Sequence, residues 1–455
     1  MKKPLSCLSV IVLSLLAAGS ELCLAQTSSN NAQSSLQRQA DEAFRNVLQN
    51  PTDFAATGTY VDLLVRAGNY EGAIAALERL MVVPGAPASL RIQVAQLYGA
   101  LKSFAMAEAM LSQVLAEPGL SAADKAQAET LLGQVRSAGA SSQFSGFVIF
   151  GVRQQNNATF RTESPQILSN GVLVTNTLRP QSDTDTSLGL RVSHEYDLGL
   201  QSFAVLSSGG GVFFVNSNAA SGKPVVAGFS TPYNLQVFDA NSGVVFNPIS
   251  SNRDLTLRPH LLGSIVRAQG VQFLTSLGWG LDVNYRLGDV NGVFATLDSQ
   301  RRTFAARPDV PSASLLNGQV TSLRLRTVYG VLPKQVLNAE VTFRDSSAGA
   351  GNLSFTSIEP RVSYAVSFAN PFGAGDWSTT PFVGYVQRTY KAADPAVIAG
   401  AARRDAEWRW GLTQSIPIAP RWTGLATVEQ VRNSANLPNY NYKNTSLSAN
   451  IIYSF

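Results

Sequence analysis

The chain has 455 residues, of which 45% are hydrophobic and only 14% are charged, and its formal net charge is +5. Disordered chains combine low hydrophobicity with high charge, so this composition excludes one. No stretch after residue 24 has the roughly 20 apolar residues that a membrane-spanning helix needs, which excludes a polytopic helical membrane protein. A charge-poor chain without such helices favours a transmembrane β-barrel, because the strands of a barrel alternate apolar and polar residues.

Residues 1–25 have the pattern of a secretory signal peptide. A basic start precedes an apolar core, Leu8 to Ala18, and a small-residue cleavage site lies before Gln26. Both cysteines, Cys7 and Cys23, lie in this segment, so the mature chain is expected to have neither disulfides nor thiol chemistry. The remaining mild positive charge is too small to indicate nucleic-acid binding.

A helical region is predicted at 36–138, after a flexible Ser/Asn/Gln-rich lead at 26–35. Two sets of residues there lie 34 positions apart: Tyr70, Ala73 and Leu77, and then Phe104, Ala107 and Leu111. This period, with an aromatic residue, a small alanine and a large apolar residue, resembles the tetratricopeptide repeat. The resemblance implies a short periplasmic stack of antiparallel helices that binds peptides or partner proteins. Lys102 departs from the repeat, where Gly is usual, and a generic Ala-rich bundle is the alternative.

Residues 144–455, after a linker at 139–143, change to a period of two, which predicts an antiparallel β-barrel. About 14 strands are predicted, and an even count leaves both ends of the barrel on one side of the membrane. The expected strands are 144–155, 185–197, 200–214, 226–247, 254–267, 271–286, 292–304, 319–331, 335–345, 355–367, 379–390, 404–416, 420–432 and 443–455. A soluble β-sandwich is the alternative, but these strands are longer than the five or six residues that are usual in globular proteins.

The final strand places Ile451, Tyr453 and Phe455 on one apolar face. An apolar face that ends the chain on Phe resembles the carboxy-terminal signature of bacterial outer-membrane proteins, which the barrel-assembly machinery recognises. The resemblance implies a barrel in contact with outer-membrane lipid and a helical region in the periplasm. The expected fold class is therefore α + membrane β.

Motifs for catalysis are absent from the sequence, so we expect no enzyme, no cofactor and no metal site. His194 and His260 are isolated in sequence, and a metal site needs three or four clustered ligands. The chemistry-bearing residues are instead charges at alternate strand positions, which are predicted to face the barrel lumen. They are Arg191, Glu195, Asp282, Arg286, Arg324, Arg326, Glu340, Arg344, Glu359, Arg361, Asp405, Glu407, Arg409, Arg421 and Glu429. They either satisfy one another and stiffen the barrel, or set the selectivity of a conduit for a polar or anionic passenger.

The whole arrangement resembles two families. Surface lipoprotein assembly modifiers pair a repeat domain with a fourteen-stranded barrel and move client proteins across the outer membrane. Exopolysaccharide export porins carry far longer repeat arrays. The first resemblance implies a secretion component that captures a periplasmic client protein; the alternatives are an exopolysaccharide or solute porin and a plugged structural barrel.

Overall fold

The computed structural model describes residues 30–455, with gaps at 200–203, 219–233, 250–251, 253, 289, 308–309 and 374. The predicted signal peptide lies outside the described residues. The described chain forms two compact units, a helical unit up to Gln143 and a β unit from Phe144 to Phe455. None of the described helices is both long and apolar enough to cross a membrane.

The helical unit contains six helices. They are α1 (Asn30–Gln49), α2 (Phe54–Arg66), α3 (Tyr70–Met81), α4 (Ala88–Ala100), α5 (Phe104–Leu115) and α6 (Ala122–Ala138). Helices α2, α4 and α6 begin 34 residues apart, as do α3 and α5, so the repeat in the sequence is a repeat in the structure. Helix α1 begins inside the segment 26–35 that was predicted to be flexible, because extending an existing helix costs much less than starting one.

The repeat positions form the core of the helical unit. Ala73, Leu77, Ala107 and Leu111 are at most 1% exposed, so the small and large apolar residues of each repeat pack against neighbouring helices. Lys102 has φ 59°, in the left-handed region that Gly68 occupies one repeat earlier with φ 77°. The unusual lysine therefore keeps the backbone turn of the repeat and accepts the strain that a glycine avoids.

The β unit is a closed antiparallel barrel of fourteen strands, which confirms the predicted fold class. Its strands are β1 (Ser142–Gln155), β4 (Asp183–Asp197), β5 (Val205–Ser217), β6 (Leu235–Val245), β7 (Leu255–Ala268), β8 (Val271–Arg286), β9 (Gly292–Phe304), β10 (Gly318–Leu332), β11 (Gln335–Ser346), β12 (Phe355–Ala369), β13 (Asp376–Ala393), β14 (Ala402–Ala419), β15 (Trp422–Ala435) and β16 (Tyr442–Ser454). Strands β1 and β16 pair directly and join the two ends of the barrel chain, with Phe147 opposite Ser454. Closure leaves no unpaired strand edge.

Two predicted strands differ at their ends from the described ones. The strand expected at 200–214 corresponds to β5 at Val205–Ser217, and the one expected at 226–247 contains β6, described at Leu235–Val245. Glycine-rich and mixed sequence in this part weakens the alternation that located the other strands. A further hairpin, β2 (Gln166–Ser169) with β3 (Val172–Thr175), lies in the loop after β1 and was not predicted.

The two rims of the barrel differ. The rim that contains Phe455, here called the C-terminal rim, has short connections such as 333–334 and 420–421. The opposite rim, here called the loop rim, has the long connections 156–182, 218–234 and 305–317. One connection on the loop rim is tight: Gln269 and Gly270 both have positive φ, 53° and 75°, as a two-residue hairpin turn requires.

Candidate functional site: the barrel lumen

The two faces of the barrel wall differ in chemistry. The outer face exposes large apolar side chains, among them Leu277 (71% exposed) and Trp279 (52%). On the opposite face, Asp405 and Glu407 are 2% and 0% exposed, so this is the crowded inner face. An apolar outside and a polar inside are what a membrane-spanning barrel requires.

Strand pairing places the predicted lumen residues on the inner face, with one exception. Cross-strand partners share a face, so the pairing of each strand with the next shows which residues lie on the inner face. Arg326 with Glu340 and Arg191 with Gly211 are two such inner-face pairs. The inner-face set is Arg191, Glu195, Asp282, Arg286, Arg324, Arg326, Glu340, Arg344, Glu359, Arg361, Asp405, Glu407, Arg409 and Glu429. Arg421 is the exception: it lies in the turn between β14 and β15 with φ 69° and lines no wall.

One side of the lumen, formed by β1 and β4–β8, is here called the acidic wall. Its inner-face charges are Asp183, Asp185, Glu195, Asp239 and Asp282, with Arg153, Arg191, Arg258 and Arg286. Asp185 accepts hydrogen bonds from Arg153 Nε (3.0 Å) and Gln155 Nε2 (2.7 Å).

The structure of this wall explains why glycines occur at Gly209-Gly210-Gly211. Arg191 Nη1 lies 3.0 Å from Asp239 Oδ2 on the inner face. A Cβ at residue 211 would lie 3.0 Å from Asp239 Oδ1, and one at residue 209 would lie 3.4 Å from Asn241 Nδ2. The two inner-face glycines leave the space that the Arg191–Asp239 ion pair and Asn241 occupy.

His260 is an inner-face residue that sequence reasoning did not associate with the lumen charges. Its Nδ1 lies 3.4 Å from Asp282 Oδ2 and its Nε2 lies 3.4 Å from Asp298 Oδ1. The three residues belong to three successive strands, so only the register brings them together. The sequence offered one signal for this placement: His260 lies two residues after Arg258 on β7, so the two side chains share a face.

The opposite side of the lumen, formed by β9–β14, is here called the basic wall. Arginines outnumber acidic residues on its inner face. The arginines are Arg302, Arg324, Arg326, Arg344, Arg361, Arg388, Arg403 and Arg409, and the acidic residues are Asp298, Glu340, Glu359, Asp405 and Glu407. Glu340 is placed between Arg326 and Arg361 in one cross-strand row. The guanidinium groups of these two arginines lie 4.7 Å above Phe294 and 4.8 Å above Phe382. Aromatic faces thus hold arginines that no carboxylate among the described residues pairs with inside 4 Å.

Water reaches the middle of the basic wall. The Arg324 side chain is 47% exposed and its partner Glu340 is 31% exposed, with 3.8 Å between Nε and Oε1. An eight-stranded barrel is filled by its own side chains, whereas barrels of 16 to 18 strands enclose an aqueous channel. A fourteen-stranded lumen with exposed arginines lies between these limits.

Near the loop rim the basic wall carries a buried ion network. Asp405 binds Arg403 Nη2 at 2.7 Å and Arg388 Nη1 at 3.4 Å. Glu407 accepts a hydrogen bond from Arg409 Nε at 2.6 Å and another from the Tyr442 hydroxyl. These charges are paired and hydrogen-bonded, as buried charges must be.

Loops pack over this end of the lumen. Asn439 accepts a hydrogen bond from the Leu168 N–H (2.8 Å) and donates one to the Leu168 carbonyl (2.9 Å). The N–H groups of Asn170 and Gly171 bind the carbonyls of Ala396 and Val397. The β2–β3 hairpin is therefore fastened to the loops 394–401 and 436–441, and this assembly is here called the cap.

An apolar contact orders another part of the loop rim, at β7, β8 and the loop after β9. Val310, Ala313 and Leu316 of the loop 305–317 pack against Val266 and Phe273.

Tyr440, in the cap, is buried, and this burial raises the pKa of its hydroxyl to about 12. It stays neutral beneath Arg403, whose guanidinium lies 3.7 Å from its ring centroid.

The remaining predicted residues take ordinary positions. Ile451, Tyr453 and Phe455 follow the outer face of β16, and Tyr453 lies 4.9 Å from Trp422. His194 also faces outward and stacks on Phe144 at 4.4 Å. Within the described part of the chain, no three His, Cys, Asp or Glu side chains are grouped so that they could hold a metal ion.

Comparisons with known proteins find similar barrels but no family. No family model and no curated protein matches the chain. Among solved structures, an outer membrane channel from Pseudomonas putida F1 matches at 14% identity over 68% of this chain and 96% of its own, with a TM-score of 0.36. The outer membrane protein OpdK from Pseudomonas aeruginosa matches at 12% over 69% and 99% (TM-score 0.32), and a bacterial polysaccharide outer membrane secretin at 9% over 68% and 98% (TM-score 0.34). Likenesses of this strength do not show what the present chain does, and none indicates the assembly modifier family.

Proposed function

We propose that this protein is an outer-membrane conduit whose lumen favours anionic passengers. The C-terminal rim would face the periplasm and the cap would face the outside, and the helical unit would be a periplasmic domain. This assignment follows the usual barrel arrangement of short periplasmic turns and long external loops. Either a small solute or an exported polysaccharide fits such a conduit better than a folded client protein does.

The charge difference between the two walls carries the proposal. Arg324 and Arg361 are exposed to the lumen on the basic wall, and Arg326 adds a further charge beside Glu340. Fixed charges with low-dielectric walls concentrate ions of the opposite sign. An anion crossing the lumen would therefore find an attractive path along β10–β12, where arginines stand on successive strands.

Planar-bilayer recording under a KCl gradient tests this selectivity. The wild-type protein should give a reversal potential that shows chloride crossing more readily than potassium. Arg326→Gln with Arg361→Gln should lower the chloride-to-potassium permeability ratio by about twofold or more, because two lumen charges are lost. Arg432→Gln, on the outer face of β15, is the matched control and should leave the ratio unchanged. Equal ratios in the wild type and the double variant would contradict the proposal.

A plugged structural barrel is the second candidate, and the cap favours it. Ion pairs and the packed loop rim would then serve stability alone. A variant that lacks the hairpin, residues 166–175, separates the two functions. Conductance that appears or increases supports the conduit, whereas a folded barrel that conducts in neither form supports the plugged barrel.

The helical unit would recruit the passenger or the machinery that delivers it. Its repeats present a shallow depression lined by Gln96, Gln127 and Gln134 together with Ala126 and Leu131, which offers amide groups beside apolar surface to a ligand. The ligand would be either a periplasmic client protein, as in the secretion hypothesis, or a polysaccharide. Deleting residues 36–136 should abolish export while the barrel still inserts; unchanged surface proteins and surface polysaccharide would contradict a recruiting role.

A further inference from the structure

A cavity of about 70 Å³ lies under the cap at the loop rim, inside the barrel mouth. Arg302 of β9 and Arg403 of β14 both line it, and each strand between them also contributes a residue, so the cavity follows the inner face from β9 to β14. Leu437 and Tyr440 of the cap form part of its roof. The cavity is thus the loop-rim end of the basic wall, the part that a passenger entering from the loop rim would meet first.

The two arginines of the cavity differ in their partners. Arg403 is held by Asp405 and lies against the rings of Tyr390 and Tyr440. Arg302 has no carboxylate within 4 Å and no side-chain hydrogen bond to another described residue, and the charge that acts on it most is that of Arg344, of like sign.

Arg302 is half-buried without a counter-charge, and its guanidinium nitrogens remain accessible, so its five N–H donors are available to a ligand. Arg302 therefore has a surplus of charge and of donors, both directed at one cavity. A carboxylate there would supply the missing partner in a bidentate pair.

The rest of the cavity limits the kind of anion. Phe304, Leu316 and Leu353 give it an apolar side, whereas Ser346 and Asn352 provide polar atoms near the strand ends. Asp394 also lines it, but one of its oxygens accepts the Ala396 N–H at 3.0 Å. Apolar walls around one cationic group suit an organic carboxylate better than a strongly hydrated inorganic anion.

We propose that this cavity binds a small carboxylate with an apolar body, held by Arg302, as an outer binding site for the anions that cross the lumen. The inference builds on the proposed anion conduit and adds the chemical class of its passenger. The site would be reached when the cap opens.

Calorimetric titration of the full-length protein in detergent with benzoate, at fixed ionic strength, tests the proposal. Wild type should bind benzoate at least about tenfold more tightly than the neutral benzamide, since only the carboxylate pairs with Arg302. Arg302→Gln should lose at least about tenfold in benzoate affinity, and Arg302→Lys should keep part of it. Arg301→Gln, the adjacent outward-facing arginine, should bind benzoate like wild type.

Because Arg302 has no acidic partner, Arg302→Gln should fold like wild type, which a heat-dependent mobility shift on a gel verifies. Equal benzoate affinity in Arg302→Gln and wild type, or equal binding of benzoate and benzamide, would overturn the site. If acetate binds as tightly as benzoate, the claim that the cavity prefers a carboxylate with an apolar body is wrong. If benzoate fails to bind while the lumen remains chloride-selective, only this inference fails; if binding depends on Arg302 but selectivity is absent, only the conduit fails.

Discussion

Glu407 has no exposed surface, yet it is an inner-face carboxylate beside two arginines, Arg409 and Arg388. Removing one member of a buried, hydrogen-bonded ion network leaves the others without compensation. Loss of Glu407 should therefore destabilise the barrel.

Glu407→Ala should lower the free energy of unfolding by about 3–5 kcal/mol, because it removes the acceptor of the half-buried Arg409 and of the buried Tyr442 hydroxyl. Urea titration of the folded, heat-modifiable gel band measures this. Glu195→Ala, at the exposed end of β4, is the control and should change little. A loss at Glu407 no larger than at Glu195 would show that the network does not contribute to stability.

The sequence predicted which face of the barrel wall a strand residue lies on, but not which residue of the next strand it contacts. The alternation of Arg324 and Arg326 with apolar residues assigned both to one face, and pairing with β11 places them there. Their partners depend on cross-strand register, which alternation alone does not give. The same holds for His260, which meets Asp282 and Asp298 only once three strands are aligned.

Among the elements, strands with strong alternation were located best. Strand β8, predicted at 271–286, is observed at Val271–Arg286, because its apolar and polar residues alternate from Ser276 to Arg286. Strand β6 lies within the predicted range 226–247, but its ends were less well located, since Asn241, Ser242 and Gly243 interrupt the apolar pattern. The cap was invisible in sequence: Leu168 and Asn439 are 271 residues apart, and their hydrogen bonds exist only in the closed barrel.

The hairpin β2–β3 is the element whose removal should change function most. Deleting residues 166–175 should raise conductance, because the deletion removes the contacts of Leu168, Asn170 and Gly171 with the neighbouring loops. Single-channel recording would show more open time or larger open currents, with barrel folding checked by gel mobility. Unchanged currents would mean that the cap does not limit passage.

At the scale of the whole molecule, the scarce charges and the apolar residues are separated by one surface, the barrel wall. Charges are concentrated inside, where they differ between two walls, and apolar residues such as Leu277 and Trp279 are outside. The low charged fraction of the sequence therefore reflects the large area that would meet lipid. The helical unit adds a 34-residue repeat whose core follows the predicted residues.

The central claim is that passengers cross through the lumen along the basic wall. The most direct test introduces single cysteines into the mature chain, which is expected to have none of its own, and treats each variant with a negatively charged methanethiosulfonate reagent during bilayer recording. Arg361→Cys faces the lumen, and Val362→Cys, the next residue, faces outward. We expect the reagent to reduce the current and the chloride preference at position 361 and to do nothing at position 362. An unchanged current at both positions, or the same change at both, would contradict the claim.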